Sequence, residues 1–208
     1  MSTESNVIRA DHNPKFYTRF LLMGIGAFAV MGWFLYDGVY AWPLQRERYL
    51  AYKELVDANE GAKWEALAEE RGWSTDPPED KHNRTETVIQ QQFYWAAGCG
   101  VIGVLLLLKV FSARGSWIEG DGSKIATSWG QAVPFNAVTK VEKKNWANKG
   151  LAYVTYVEGD KQRRFTIDDL KFQREPTDAI LHQLEQAIGE EKIVGGAPEK
   201  PPAEPAEG

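Results

Sequence analysis

Two stretches of the chain carry almost no polar side chain, and the segments around them change spacing from helical to strand-like. The first stretch, Phe20 to Tyr36 (FLLMGIGAFAVMGWFLY), has no charge between Arg19 and Asp37. At a helical rise of 1.5 Å per residue it covers about 25 Å, a little short of a hydrocarbon core of about 30 Å. Phe16 and Tyr17 extend it at one end, and Val39, Tyr40 and Trp42 at the other. The second, Phe93 to Phe111, is interrupted only by Lys109, which lies close enough to its end to snorkel toward headgroups. Together they predict transmembrane helices over 16–40 and 93–111. Trp33, Tyr36, Tyr40 and Trp42 gather where the first run ends, and Phe93, Tyr94 and Trp95 where the second begins. Two antiparallel spans bring both clusters to one interface.

Small residues punctuate the spans. Ala96, Gly100 and Gly103 fall on one helical face with Cys99 beside them, and Gly24 and Gly32 lie on the first span. Such a face lets backbones approach closely in lipid. The expected use is packing of the two spans on each other, with a homo-oligomer seam as the alternative.

Between the spans, residues 41–92 read as an acidic helical-hairpin loop. Pro43 suits a first helical position. Tyr49, Tyr52 and Val56 then share a face, with Leu55 flanking it. Gly61 interrupts, and Lys63 to Arg71 restarts a helix with Trp64, Leu67 and Ala68 turned inward, ended by Gly72. Pro77-Pro78 sits in the return loop. Glu47, Glu54, Glu65, Glu69 and Glu70 alternate with basic residues at helical spacing and read as a solvated face rather than catalytic carboxylates.

From Ser116 the period becomes two. Strands are predicted at Ser116–Glu119, Lys124–Trp129, Val133–Phe135, Val138–Asn145, Leu151–Glu158 and Gln162–Ile167, separated by glycine-containing turns. A helix follows from near Pro176, with Ile180, Leu181, Leu184 and Ile188 as its apolar stripe. The fold class is therefore membrane α plus α+β: two spanning helices with a helical-hairpin loop, then a small antiparallel β domain over 112–192 capped by a C-terminal helix. Residues 1–15 read as an N-terminal tail. Residues 193–208 read as a disordered tail, because the stretch from Gly195 to Gly208 holds four of the ten prolines.

The segment Ile125-Ala-Thr-Ser-Trp-Gly-Gln-Ala-Val-Pro-Phe-Asn-Ala-Val-Thr-Lys-Val141 resembles the signature of bacterial pleckstrin-homology-like (PH-like) domains, in which a strand precedes a short Val-Pro-Phe element and the next strand start. Lys149-Gly-Leu-Ala-Tyr-Val-Thr-Tyr, Phe165-Thr-Ile and the Pro176 helix continue the likeness. The whole chain also resembles bacterial two-span membrane proteins carrying such a module. The motifs that carry the resemblance are confined to the β domain and its helix, and they imply a fold and a binding role without naming a ligand. Eukaryotic relatives bind phosphoinositides through basic residues of the first hairpin loop. Taken here as Glu119–Lys124, that loop holds one lysine and two acids, a departure from the pattern.

Overall composition adds limits. A mean hydropathy of −0.42 describes a soluble average and hides the two runs. The net charge of −5 gives no reason to expect nucleic acid. One cysteine excludes an internal disulfide and a Cys-based zinc site, and no nucleotide-loop, nucleophile-elbow or metalloprotease motif occurs. No catalytic residue, metal or cofactor is expected. Asp168-Asp169 is assigned to a turn, His182 to an exposed position, and Trp117, Trp129 and Trp146 to packing. The sequon Asn83-Arg84-Thr85 would matter only in a eukaryotic lumen.

Basic residues near the membrane number six on the terminal flanks (Arg9, Lys15, Arg19, Lys109, Arg114, Lys124) against four on the loop side (Arg46, Arg48, Lys81, Arg84). This bias puts both termini in the cytoplasm of a bacterial inner membrane. A cleaved leader competes for the first run, since Val39-Tyr40-Ala41 has cleavage-site spacing. The run's length and the mostly polar stretch from Met1 to Arg19 ahead of it argue against that. Lys140, Lys143, Lys144, Lys149, Arg163 and Arg164 are the candidate contacts to lipid headgroups or to a protein partner, the alternative being a solvated strand edge. The expected function is a non-enzymatic membrane-anchored interaction protein. The alternative is an accessory subunit docking through its spans and acidic loop onto a larger membrane complex.

Overall fold

The computed structural model describes residues 7–201. The chain divides into two compact units, one formed by both chain ends (residues 1–20 and 109–208) and one by residues 21–108.

Elements run in chain order as β1 (Ile8–Asp11), α1 (Pro14–Tyr36), a π-turn (Asp37–Ala41), α2 (Trp42–Asp57), α3 (Trp64–Arg71) and α4 (Glu86–Ala113). Then come β2 (Trp117–Gly120), β3 (Lys124–Thr127), β4 (Ala132–Pro134), β5 (Val138–Asn145), α5 (Trp146–Lys149), β6 (Leu151–Glu158), β7 (Lys161–Asp168), α6 (Arg174–Ile188) and β8 (Ile193–Val194).

In the end-to-end unit the sheets run β1-β2-β3-β4 and β7-β6-β5-β8. All pairings are antiparallel except that of β8 with β5, which is parallel. Ile118, Ile125, Val133, Val138, Val141, Ala152, Val154, Phe165 and Ile167 turn inward from the sheets. They meet Ile180, Leu181, Leu184 and Ile188 of α6. The six strands expected from alternation are present, as is the helix.

Two expectations are corrected at the chain ends. Residues 8–11 of the expected N-terminal tail form a sheet strand, registered Ile8↔Gly120 through Asp11↔Trp117, with Ala10 fully buried. The Glu119–Lys124 loop is consequently the second hairpin connection. The first, residues 12–116, contains both apolar helices. Residues 193–201 of the expected disordered tail are ordered against the domain: β8 pairs with Val141 and Glu142, and Gly195 and Gly196 pass close to Lys144 and Lys143. Residues 1–6 and 202–208 of those two tails lie outside the described residues.

The junctions of α1 and α4 with the sheet are short. Asn13 caps α1: its Oδ1 accepts from the Lys15 N–H at 3.1 Å, and Pro14 takes the first helical position. Asn13 is itself held by the 170–171 turn, donating from N to Lys171 O at 2.7 Å and from Nδ2 to Leu170 O at 3.2 Å. At the other junction Gly115 adopts φ +74°, and the Ser116 hydroxyl donates to Ala113 O at 2.7 Å, so Arg114 to Ser116 suffice to turn α4 into β2.

In the unit of residues 21–108, the first apolar helix does not stop at the predicted residue 40. Helical structure continues without a break from Pro14 to Asp57. The Trp42 N–H bonds Asp37 O, five residues back. Pro43 has no N–H, and its ring would strike the carbonyl four residues back in a regular helix, so the wide turn ahead of it lets the helix pass.

The apolar parts of α1 and α4 meet through small residues. A Cβ on Gly103 would lie 2.9 Å from the Phe28 ring, and one on Gly100 would lie 2.9 Å from Met31 Sδ. Gly24 faces Leu107, Gly38 faces Gln92 and Phe93, and Ala96 is 2% exposed. Beyond them, Trp64 is buried between Tyr52 and Trp73 and donates from Nε1 to Thr75 O at 2.8 Å. Arg48 and Tyr49 tie α2 to the return loop at Ser74 and Asp80.

Candidate functional site

The six basic residues proposed from the sequence do not form one patch. Register places Lys140 opposite Thr155 and Thr155 opposite Arg164, so these two cations flank one threonine on the outer face of the β5-β6-β7 sheet. Arg164 lies over the Tyr153 ring at 3.7 Å, and Lys140 pairs with Glu142 at 3.4 Å. Arg163, next to Arg164 on β7 and opposite Tyr156, alternates to the other face of the strand and pairs with Glu158 at 3.2 Å. Lys144 and Lys149 are exposed elsewhere.

Lys143 is corrected outright. Its side chain is 2% exposed and points inward beneath the C-terminal segment. The ammonium donates to Glu199 Oε1 and to Ala197 O, both at 2.7 Å, and forms an ion pair with Glu185 Oε1 at 2.8 Å. The Glu199 N–H in turn donates to Glu185 Oε2 at 2.5 Å. His182, expected to be exposed, is half-buried and its Nδ1 lies 3.0 Å from Glu199 O. A buried charge needs a partner of opposite sign, and the bonds to Ala197 and Glu199 make this cluster a fastening for the C-terminal segment.

Carboxylates nearby follow their surroundings. Burial pushes the Asp169 and Asp178 carboxyls up from their ordinary range, against the pull of Arg174 at 3.6 and 3.7 Å. At Asp121 burial works in the same upward direction, but hydrogen bonds from the Ser123 hydroxyl and the Ser123 and Lys124 N–H groups overcome it and hold that carboxyl low. Asp168 closes a turn, accepting from the N–H groups of Leu170 and Lys171. Among the described residues no group of three metal-ligating side chains occurs. Trp146 packs against the core, whereas Trp129, expected in packing, is 55% exposed and stacked near Phe172.

The predicted helix-packing residues lie between the apolar helices, Gly100 against Met31, Gly103 against Phe28, Ala96 buried and Cys99 half-buried beside them.

A cluster that the sequence reading does not single out surrounds the ends of α1 and α4 that belong to the sheet unit. Lys109 Nζ sits 3.8 Å from the centre of the Phe20 ring. Arg19 lies over Phe16 at 4.2 Å and Phe20 at 4.9 Å, and Arg114 lies over Phe111 at 4.6 Å. Phe16 and Tyr17 meet edge to face. The signal is present in the sequence as Lys15, Arg19, Lys109 and Arg114 beside aromatics, where Lys109 reads as snorkelling and the four together enter only the charge bias for orientation. Long cationic side chains laid over aromatic faces suit an interface where one end is apolar and the other wet.

Comparison with known proteins finds no matching family model, no matching curated protein and no matching solved structure.

Proposed function

We propose that this chain is a non-enzymatic, membrane-anchored interaction protein. In this reading α1 and α4 cross a bacterial inner membrane as an antiparallel pair. Residues 42–85 stand on the outer side, and a PH-like domain on the cytoplasmic side engages a protein partner or the inner leaflet. The carrying observation is the β1–β2 ladder. Residues that precede the first apolar helix pair along their length with residues that follow the second, and strands of one ladder occupy one side of a bilayer. An even number of crossings meets that condition.

Exposure supports the lipid reading. In the apolar windows only 6% of the first helix and 22% of the second is buried, whereas a core helix of a soluble protein buries most of such a surface. Leu22, Met23, Ile25, Val101, Leu105 and Leu108 are each more than half exposed. A cleaved leader fits poorly, because cleavage after Ala41 would sever β1 from the body of the chain. For the PH-like assignment, two sheets and a terminal helix supply the expected layout, with the span-containing connection in place of a short first hairpin loop.

Cysteine-accessibility labelling tests the reading. Cysteines introduced at Glu54 and Glu69 are expected to react with an impermeant maleimide in intact cells, and cysteines at Asp160 and Ser123 only after permeabilisation. Equal labelling of all four positions, or release of the chain by alkaline carbonate, would refute it.

A further inference from the structure

Of the cations in the sheet unit, those away from the helix ends commonly face acids. Arg9 meets Asp11, Lys171 meets Asp168 and Arg174 meets Asp169, at 3.0 to 3.6 Å. Among the described residues Arg164, over the Tyr153 ring, lacks such a pair too, but at the helix ends the unpaired cations come together from both helices. Arg19, Lys109 and Arg114 lie over aromatic rings, and none of them, nor Lys15, has a carboxylate within ion-pair distance among the described residues. Arg19 from α1 and Lys109 from α4 share one ring, that of Phe20. An aromatic face attracts a cation through its quadrupole and supplies no net charge. Two like charges gathered on one ring, with no carboxylate paired to either among the described residues, form a site complementary to an anion.

Depth identifies the anion. With the Trp33–Tyr40 and Phe93–Trp95 clusters at one interface, a core of about 30 Å is crossed by about 20 helical residues, which ends near Phe16 on α1 and near Ala113 on α4. Arg19 and Lys109 lie about one turn inside that boundary, a depth from which their long side chains snorkel toward the lipid phosphates.

Resting on the spanning arrangement proposed above, we infer that Arg19 and Lys109, joined across Phe20 and flanked by Lys15 and Arg114, bind the headgroup phosphodiester of an anionic glycerophospholipid. Four cations that form no ion pair among the described residues favour a lipid of net negative charge over a zwitterionic one. The guanidinium offers paired donors to the phosphate oxygens, and the ammonium offers a point charge.

The test uses the full chain in neutral-detergent micelles, with bound lipid counted by native mass spectrometry as phosphatidylglycerol or phosphatidylcholine is titrated in. Wild type is expected to retain phosphatidylglycerol selectively. Removing one cation (Arg19→Gln or Lys109→Gln) should weaken retention about fivefold, and the double variant about twenty-five-fold. Arg19→Lys with Lys109→Arg should retain it, since charge is kept. Equal retention of both lipids by wild type, or an unchanged double variant, would overturn the assignment. So would displacement of the lipid by millimolar inorganic phosphate, which would identify a free-anion site. Alkaline carbonate extraction of the cell membranes from which the chain is purified separates the two levels: an unselective chain that stays in the membrane overturns only the lipid site, whereas a released wild type overturns the spanning reading as well.

Discussion

Replacing Lys143 by methionine distinguishes a buried fastening from a surface contact. The two side chains are of similar length, so methionine fills the space. Glu185, whose side chain is 2% exposed, is then left as a buried carboxylate facing no cation. Removing one partner of a buried pair costs about 3–5 kcal/mol. The lower end applies here, because Glu185 keeps the Glu199 N–H and the Glu199 side chain, 23% exposed, can turn to water. A cost of about 3 kcal/mol raises opening of the β5–α6 region more than a hundredfold. Hydrogen exchange at β5 and α6 amides, followed on the full chain in neutral-detergent micelles, reads that quantity directly. Lys143→Met combined with Glu185→Leu should recover more than half of the loss, since the stranded charge is removed with its partner. A Lys143→Met cost below about 0.5 kcal/mol, ordinary for a surface lysine, together with weaker binding to anionic vesicles, would refute the buried arrangement.

Gly103→Leu should push Phe28 away and separate the apolar helices, lowering the thermal midpoint in micelles by the equivalent of about 1–3 kcal/mol. Gly26→Leu, where a Cβ meets nothing within 4 Å, should leave it unchanged. The carboxylates give opposite pH signatures. Asp169 has a raised folded pKa, so the folded state binds the extra proton, and its stability contribution is present at low pH and lost as pH rises through that value. Asp169→Asn should therefore stabilise the domain at neutral pH, with the gain fading toward about pH 4. Asp121 has a lowered folded pKa, so its contribution is present at neutral pH and lost as pH falls through the depressed value. Asp121→Asn should destabilise at neutral pH by about 1 kcal/mol, with the deficit closing in acid. Denaturant midpoints across about pH 3 to 7 check both signs.

Alternation and apolar run length make the central strands, the terminal helix and both apolar helices legible. β1 is not, because Ile-Arg-Ala-Asp ahead of a hydrophobic run is too short to carry a periodicity of its own. The ladder with β2, formed across both apolar helices and the loop between them, is what makes it a strand. β8 is likewise two residues long and depends on the β5 edge. Pro43 reads in sequence as a helix start, whereas the π-turn before it lets one helix run through. Lys143 is legible in principle: period two from Val141 puts it on the inward face and Lys144 on the outward one. Grouping the two as neighbours in sequence conceals that difference. Its acids, Glu185 and Glu199, come from α6 and the C-terminal segment, and no local pattern announces such distant pairings. At the helix ends the cations and aromatics are visible, but not that Arg19 and Lys109 share a ring.

The β1–β2 ladder also sets an order of events during synthesis. β1 is made first, yet its partner is not made until both apolar helices and the loop between them have been translated. Closing so long a connection in free chain would cost loop entropy; in the spanning arrangement proposed above, two completed crossings would return the chain to its starting side and bring the strand edges together. If one helix failed to insert, β1 would be stranded across the bilayer from β2, leaving an open sheet edge and an uncovered apolar core. On that arrangement, completion of the sheet would report that the membrane hairpin has been built, and a chain that failed would carry its own mark for proteolysis.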